Sequence, residues 1–506
     1  MNPIPGPMIL LILPLVAAAA AYLVRRFALL ATVVSLLATG LLAILCVQLP
    51  LDRSAFVLGQ EVAFGRPVVV LGQTLVLDAA GQMWLAFVFA LMALLYLFAW
   101  RVSQGRSFFS FSLIIASLYA LLVLLQSFAL AVLVLAISAT LAVFALQAGQ
   151  LASVRGAQRY LLVSLLAVPL LLLASWFVDQ SLLYAADLEG LAGGSPEMAA
   201  ALEAAMAQRA LLPAALGFGF LLAAFPFGTW MPALAADAPP VVAAFIFTAG
   251  QAMALYLALA LLEAAPALAE SRTTLTVMQL AGLVMAASGG LLAAVQRDLG
   301  RLFGYAALSD LGILLLAFSS GGSQSLDLVL LHTVNRSAAI VLMAAALAVV
   351  RHRAGSDRFA DLAGTARRLP VATAGLVLGG LALAGFPFTA GFPTHWAVSR
   401  ATWSWVQPFS PLAAETVPAV EAAPGQQWVW VLTMAALLAS FVGIVVGLLR
   451  GLQAMRRFQE RAEMERQPIL ASFMIVALGA LTVALGLYPQ LFLEPVSEAA
   501  RAISLF

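Results

Sequence analysis

Long, almost uncharged apolar stretches recur from one end of this 506-residue chain to the other. About 20 apolar helical residues cross a bilayer core about 30 Å thick, and a backbone inside that core must satisfy its own hydrogen bonds. The sequence therefore predicts an all-α integral membrane protein with about 14 transmembrane helices. The predicted spans are residues 5–24, 28–48, 82–100, 108–126, 128–148, 157–178, 211–230, 241–262, 275–295, 302–319, 326–350, 371–397, 428–450 and 469–491.

The composition excludes whole classes of function. Only 9% of the residues are charged and 64% are hydrophobic, whereas about 25% are charged in an ordinary soluble domain, so a soluble enzyme is excluded. The single cysteine allows neither a disulfide framework nor a set of iron–sulfur ligands. No glycine-rich phosphate loop and no HExxH metal motif is readable. We therefore expect no catalytic centre, no cofactor, no metal site and no nucleic-acid partner in this chain.

The arginines predict how the chain is oriented. All 25 basic residues are arginine; with the loops assigned alternately to two sides, eighteen fall on one side and six on the other. Because basic loops favour the cytoplasm, we predict a multi-pass protein of the inner (cytoplasmic) membrane with both termini on the outer side. Arg25 and Arg26 follow the first span instead of preceding it, so we expect that span to be retained as a helix.

The tripeptide Phe-Pro-Phe occurs at residues 225–227 and again at 386–388. Proline interrupts helices, so Pro226 and Pro387 predict broken helices 7 and 12, and paired broken helices are typical of transport pathways. Five spans separate the two tripeptides, which gives them opposite orientations. Spans 4–8 and 9–13 are therefore candidates for two inverted five-helix repeats, and a chance tripeptide in a phenylalanine-rich chain is the alternative.

This organisation divides the chain into four predicted segments. They are residues 1–106 with helices 1–3 and an outer β-hairpin, 107–262 with the first repeat, 275–450 with the second, and 451–506 with an inner loop and helix 14. The hairpin is indicated by alternating apolar residues in 51–81. Residues 183–210, which mix acidic residues with alanine, predict a surface amphipathic helix.

Ionisable side chains are rare in the middle of the predicted spans, where a charge costs at least about 2.5 kcal/mol. They are Asp310, His332, Arg336 and His395. His332, Asn335 and Arg336 are three and four residues apart and so share one helix face. The positions of Asp310 and Arg336 along neighbouring spans predict a buried pair between them.

Two interpretations of this polar group remain open. In the first, Asp310 and the two histidines relay protons or ions, because histidine exchanges protons near neutral pH. In the second, the charges form a structural ion pair that locks two helices together. A guanidinium does not release its proton under physiological conditions, which favours Arg336 as a fixed counter-ion in either case.

Two sequence runs carry a family resemblance. They are "QRDLGRLFGYAALSDLG" at 296–312 and "DLAGTARRLP" at 361–370 followed by "LALAGFPFTAGF" at 381–392. The chain resembles the antiporter-like membrane subunits of respiratory complex I, called L, M and N. The same family contains the large subunits of Mrp-type Na+/H+ antiporters and membrane-bound hydrogenases, and the membrane partner of bicarbonate-accumulating complexes. The resemblance implies the inverted repeats, the broken helices and proton translocation along a central polar axis.

The resemblance also shows where this chain departs from the family. Most positions where relatives carry glutamate, lysine or histidine hold non-titratable residues here. These positions are Ala136, Leu221, Ile246, Ala252, Gly300 and Ile340, while Arg336 stands where relatives carry a histidine and His395 where they carry lysine or glutamate. The N-terminal half-channel is therefore expected to be degenerate.

Two functions follow as expectations. The first is a proton-conducting or ion-translocating membrane subunit of a complex I-like or related assembly. The second is a non-pumping, antiporter-like scaffold subunit, or the membrane partner of an inorganic-carbon uptake or Mrp-type complex. The expected partners are other membrane subunits, the lipid bilayer, and protons or monovalent cations. Whether the assembly is an enzyme stays open; if it is, this chain is a membrane subunit of a translocase.

Overall fold

The computed structural model describes residues 3–57, 59–99, 105, 107–147, 153–190, 196–269, 271–320, 323–404, 426–457, 469–490, 497–498 and 500–501. The chain forms two compact units. The N-terminal unit comprises Met1–Thr274 with Glu498–Leu505, and the C-terminal unit comprises Leu275–Ser497 with Phe506. The finer division into four segments stays a prediction.

The N-terminal unit is built mainly from helices. They are α1 (Gly6–Leu23), α2 (Ala28–Gln48), α3 (Ala79–Ala99), α4 (Phe108–Leu124), α5 (Phe128–Gln147), α6 (Arg155–Gly190), α7 (Pro196–Leu221), α8 (Trp230–Asp237), α9 (Pro240–Phe245), α10 (Gln251–Ala264) and α11 (Pro266–Ala269). A π-helical segment, Ile246–Gly250, joins α9 to α10, and a 3-10 turn, Phe227–Thr229, precedes α8.

The C-terminal unit contains the remaining helices. They are α12 (Arg272–Ala294), which begins at the boundary, α13 (Leu299–Ser319), α14 (Ser323–Ala354), α15 (Thr365–Arg368), α16 (Pro370–Leu383), α17 (Phe392–Ser404), α18 (Gln426–Arg456) and α19 (Ile469–Leu487). A 3-10 turn, Phe359–Asp361, lies between α14 and α15.

Twelve helices in the described part of the chain are long and apolar enough to cross a membrane, and α4 and α16 are shorter apolar helices. These fourteen helices overlap the fourteen predicted spans one for one. The prediction of a helical, multi-pass membrane protein is confirmed. The count of fourteen crossings and the inverted repeats stay predictions.

Two details differ from the sequence prediction. Residues 51–81 form two antiparallel pairs instead of one hairpin: β2 (Ala55–Val57) with β3 (Gln60–Ala63), and β4 (Val68–Val70) with β5 (Gln73–Leu75); β1 (Ile4–Pro5) pairs with β3 in parallel. The second pair is closed by Leu71 and Gly72, both with positive φ, which is the two-residue turn that fits the twist of a hairpin.

Residues 183–210 are helical where the structure describes them, but they do not form one separate surface helix. They continue α6 to Gly190 and begin α7 at Pro196, while 191–195 lie outside the described residues. The physical reason is the alanine and leucine content of this stretch, since those residues propagate a helix that has already started.

Close helix packing in the C-terminal unit places α13 and α14 at its centre. A side chain at Gly282 would collide with Gly312, and one at Gly290 would collide with the backbone of Ser440, so α12 approaches both α13 and α18 through small residues. The Ser309 hydroxyl donates to the carbonyl of Ala286 at 2.6 Å. As a result, 94% of the residues in the apolar segments of α13 and α14 are buried, whereas 33% are buried in the apolar segment of α12.

The recognisable run at 296–301 has a structural role. Asp298 caps α13 by accepting a hydrogen bond from the backbone N–H of Arg301 at 2.7 Å, a common use of aspartate at a helix start. The backbone N–H of Leu299 donates to Asp357, and that of Phe359 donates to Arg297. Burial raises the pKa of the Asp298 carboxyl, against the opposing effect of the hydrogen bond from Arg301. This loop pairing fixes where α13 starts.

Candidate functional site

Four ionisable side chains are buried together in the C-terminal unit. They are Asp310 on α13, His332 and Arg336 on α14, and His395 on α17. Among the residues that the structure describes, no other aspartate, glutamate, arginine or histidine is fully buried. We call this group the charge cluster.

The centre of the charge cluster is an ion pair between α13 and α14. Nε of Arg336 donates to Oδ2 of Asp310 at 3.0 Å, and both side chains are at most 2% exposed. Nη2 of Arg336 also reaches the carbonyl of Ala307 at 3.5 Å. The structure thus contains the buried Asp310–Arg336 pair that we predict from the sequence. Removing either partner of such a buried pair strongly destabilises the protein, because the other charge stays buried without compensation.

His332 joins the ion pair to the broken helix. Its Nε2 lies 3.1 Å from the backbone carbonyl of Asp310 and 3.4 Å from Oδ1 of the same residue. Because both neighbours are acceptors, Nε2 carries the hydrogen. Its Nδ1 lies 2.7 Å from the hydroxyl of Thr394. In a neutral His332, Nδ1 is therefore the acceptor and Thr394 donates to it.

His395 is held through the opposite ring nitrogen. Its Nδ1 donates to the carbonyl of Gly391 at 2.8 Å, and its ring centroid lies 6.0 Å from that of His332. Nε2 of His395 has no hydrogen-bond partner among the described residues. A neutral His395 therefore presents an unprotonated nitrogen inside the cluster.

The break after α16 brings α17 to the cluster. Helix α16 ends at Leu383, Gly385 and Phe388 have positive φ values of 76° and 67°, and α17 starts at Phe392. Pro387 lies within this break. Because the helix stops here, α17 starts anew at Phe392, and its Thr394 hydroxyl lies 2.7 Å from Nδ1 of His332 on α14.

A matching interruption occurs in the N-terminal unit. Helix α7 ends at Leu221, Ala223 has a positive φ, and α8 starts at Trp230 with Pro226 between them. No buried ionic side chain accompanies that break among the described residues. The buried Gln251, at the start of α10, donates through Nε2 to Sδ of Met231 on α8 at 3.4 Å. Ile246 and Ala252 are buried and apolar.

The structure places Asn335 differently from the other predicted residues. It is fully buried, yet neither its amide oxygen nor its amide nitrogen has a hydrogen-bond partner in the described part of the chain. Asn335 therefore shares the helix with His332 and Arg336 but does not hold either of them.

Sequence reasoning missed Thr394. Its hydroxyl lies 2.7 Å from Nδ1 of His332 and 3.0 Å from the carbonyl of Gly391. That carbonyl also accepts from His395, so Thr394 lies between the two histidines of the charge cluster. A signal was present, because a threonine directly beside His395 in an interrupted helix is a hydroxyl next to a titratable ring. The described residues contain no group of three or more His, Cys, Asp or Glu that could hold a metal ion.

Gly385 gives the first testable prediction. It has φ of 76°, and an added Cβ would lie 2.5 Å from the imidazole of His395. We expect Gly385→Ala to destabilise the protein by about 1–3 kcal/mol, from backbone strain and displacement of the ring. Gly40→Ala is the control, since Gly40 is helical with open space around it and should gain about 0.5–1 kcal/mol. Thermal unfolding in mild detergent measures both; equal midpoints would contradict the assignment.

A helical membrane protein with a broken helix that meets buried charges belongs to the broad class of polytopic membrane proteins built around interrupted helices. A family model described as NADH:quinone oxidoreductase/Mrp antiporter, TM, matches residues 116–420, which is more than half of the chain. The chain belongs to this family.

Curated relatives are similar over part of their length. Subunit N 2 of NADH-quinone oxidoreductase from Acidobacterium capsulatum is 28% identical over 292 residues, 55% of this chain and 54% of the relative. Subunit N from Methylococcus capsulatus is 35% identical over 182 residues, 34% of this chain and 36% of the relative. The aligned part thus spans about half or less of these relatives.

Solved structures share the fold over nearly the whole chain. A chain of respiratory complex I from Thermus thermophilus with bound NADH has a TM-score of 0.71 at 20% identity, covering 99% of this chain and 100% of its own. A chain of the archaeal membrane-bound sulfane sulfur reductase has 0.71 at 17%, with 98% and 97% covered. A chain of the Mrp complex from a Dietzia species has 0.69 at 17%, with 98% and 97% covered. At these identities the likeness establishes the fold.

Proposed function

We propose that this protein is a proton-conducting membrane subunit of a complex I-like or related multi-subunit assembly, and that its pathway runs through the charge cluster. The observation that carries the proposal is the placement of two histidines beside a buried Asp310–Arg336 pair at a helix break. Buried charge in a membrane is costly, and an ion pair that only locks two helices together does not require the two histidines beside it.

Hydrogen-bond accounting supports a relay. The Gly391 carbonyl already accepts from the backbone N–H of His395 at 3.1 Å and from its Nδ1 at 2.8 Å. The Thr394 hydroxyl has one hydrogen, which goes either to Nδ1 of His332 or to that carbonyl. When His332 is neutral, Thr394 donates to it. When Nδ1 of His332 takes up a proton, the hydroxyl must turn to Gly391.

Each group in the cluster then has a distinct role. Nε2 of His395 is the open acceptor for an arriving proton, and His332 is the second titratable ring. Arg336 keeps its proton and acts as the fixed counter-ion of Asp310. The carboxylate of Asp310 lies 3.4 Å from Nε2 of His332 and is the negative member of the charge cluster.

The N-terminal unit is proposed to conduct no protons. The positions where relatives carry titratable groups hold Ala136, Leu221, Ile246 and Ala252. A second candidate function, a non-pumping scaffold, is favoured by this observation. It predicts that neutralising the charge cluster leaves coupling intact, while deleting the chain disassembles its complex.

The physiological assembly is proposed from the family. A quinone-reducing, Mrp-type, hydrogenase-type or inorganic-carbon uptake complex in the cytoplasmic membrane would each supply neighbouring membrane subunits, with protons or monovalent cations as cargo. Eighteen arginines on one set of loops support an orientation with both termini outside. Any redox or hydration chemistry would belong to a partner.

His395→Asn tests the proposed function. Asparagine keeps a donor for the Gly391 carbonyl and removes the titratable Nε2 nitrogen. With the assembly reconstituted in vesicles, we expect the proton flux after a pH jump to fall by about 100-fold, the scale of a positioned proton donor or acceptor. His352→Asn is the matched control, because His352 is exposed in the last turn of α14. Equal fluxes in the wild type and His395→Asn would favour the scaffold.

Thr394 gives a second flux prediction. Thr394→Val keeps the shape of the side chain but removes the hydroxyl, so Nδ1 of His332 loses its partner. We expect the flux to fall about 5- to 10-fold, equivalent to one hydrogen bond of about 1 kcal/mol, whereas Thr394→Ser keeps the flux within about twofold. The pH profile should shift in the valine variant alone. Identical pH profiles in both variants would show that Thr394 only packs.

A further inference from the structure

A groove lies between the start of α16 and the end of α18, where arginines are found. Its volume is about 760 Å³, its mouth is lined by Arg367 and Arg456, and its deeper wall includes Val377, Leu378, Leu381 and Leu452. Both arginines are exposed. The groove is therefore charged at one end and apolar at the other.

The depth of the groove matches one leaflet of a bilayer. From Pro370 at the mouth to Leu381, α16 rises by about 16 Å at about 1.5 Å per residue, and half of a hydrocarbon core is about 15 Å. At the inner end of the groove, beside Leu381, an added Cβ at Gly380 would lie 2.7 Å from the side chain of Leu448, so α16 and α18 pack closely at this level. The arginines mark the polar end, because a guanidinium avoids hydrocarbon.

Charge at the mouth favours an anion. Two guanidinium groups line it, and none of the described lining residues is acidic. Helix α16 begins at Pro370, so the positive end of its dipole lies at the same level. A phosphate group at this position meets three favourable electrostatic contributions.

We infer that this groove binds an anionic phospholipid, with the headgroup phosphate between Arg367 and Arg456 and an acyl chain along Val377, Leu378 and Leu381. Basic pockets between membrane helices are suited to anionic headgroups. A free phosphate or nucleotide would leave the apolar wall uncovered, and the one-leaflet depth fits an acyl chain. The inference is independent of proton conduction.

The test counts lipids on the purified full chain. Native mass spectrometry is performed with phosphatidylglycerol or phosphatidylcholine carrying the same acyl chains. We expect Arg367→Gln/Arg456→Gln to weaken phosphatidylglycerol binding by roughly 30-fold, on the basis of the usual gain per basic residue near an anionic headgroup. The matched control is Arg368→Gln/Arg457→Gln, which alters the neighbouring exposed arginines that do not line the groove and should retain binding.

A second variant tests the apolar part. Ala374 lines the groove and is exposed, so Ala374→Phe fills it while both arginines remain. It should also displace phosphatidylglycerol. Equal retention of phosphatidylglycerol and phosphatidylcholine by the wild type would overturn the inference. Displacement of the lipid by millimolar inorganic phosphate alone would also overturn it, as would unchanged phosphatidylglycerol binding in the Arg367→Gln/Arg456→Gln variant.

Discussion

Replacing Asp310 by alanine is expected to cost the protein about 3–5 kcal/mol of folding free energy. The carboxylate is the partner of Arg336 at 3.0 Å, and both side chains are buried. Alanine leaves the guanidinium enclosed without its counter-charge, and it also frees Nε2 of His332 from the Oδ1 oxygen 3.4 Å away. Thermal unfolding followed by circular dichroism in mild detergent measures the loss.

A paired replacement separates charge from packing. Asp310→Leu with Arg336→Met removes both charges and fills the site with apolar side chains, and such exchanges of a buried pair are often neutral or stabilising. We expect its unfolding midpoint to return close to that of the wild type. Asp52→Ala, at an exposed aspartate, serves as the control and should change stability by about 0.5 kcal/mol or less. A double variant as unstable as Asp310→Ala would show that the ion pair is not the cause.

The helices of this fold follow from the sequence for a simple reason. A membrane admits few backbone solutions, so apolar length predicts each helix, and the fourteen predicted spans overlap fourteen apolar helices. The limits appear outside the bilayer. Leu71 and Gly72 close a second hairpin that alternation alone does not reveal, and α6 extends to Gly190 where composition indicates a separate surface helix.

The candidate site is partly predictable for the same reason. Asp310, His332, Arg336 and His395 stand out because ionisable groups are rare in apolar spans, and helical periodicity puts two of them on one face. Thr394 does not stand out, because threonine is ordinary in membrane helices. Its importance comes from the break after α16, which sets its hydroxyl between His332 and Gly391.

Asn335 illustrates the opposite limit. Helical spacing places it with His332 and Arg336, but its amide contacts neither the ion pair nor a hydrogen-bond partner in the described residues. Helical spacing identifies the residues that share one face of a helix. It does not determine which of their side chains form hydrogen bonds with one another. Only the packing of α14 against the broken helix does that.

The paired replacement of Asp310 and Arg336 also makes a functional prediction as large as that for His395→Asn. Without the carboxylate and the guanidinium, no fixed charge remains beside His332 and His395 to organise the relay. We expect the folded Asp310→Leu/Arg336→Met protein to assemble normally and to lose proton flux by about 100-fold.

The most direct test of the account is therefore one measurement. The proton flux into sealed vesicles after a pH jump is recorded for the assembly with the wild-type chain and with Asp310→Leu/Arg336→Met, at equal amounts of incorporated complex. The account predicts flux at the level of protein-free vesicles for the double variant, with assembly and unfolding midpoint unchanged. Wild-type flux in that folded, assembled variant would contradict it and leave the charge cluster a structural feature of a scaffold.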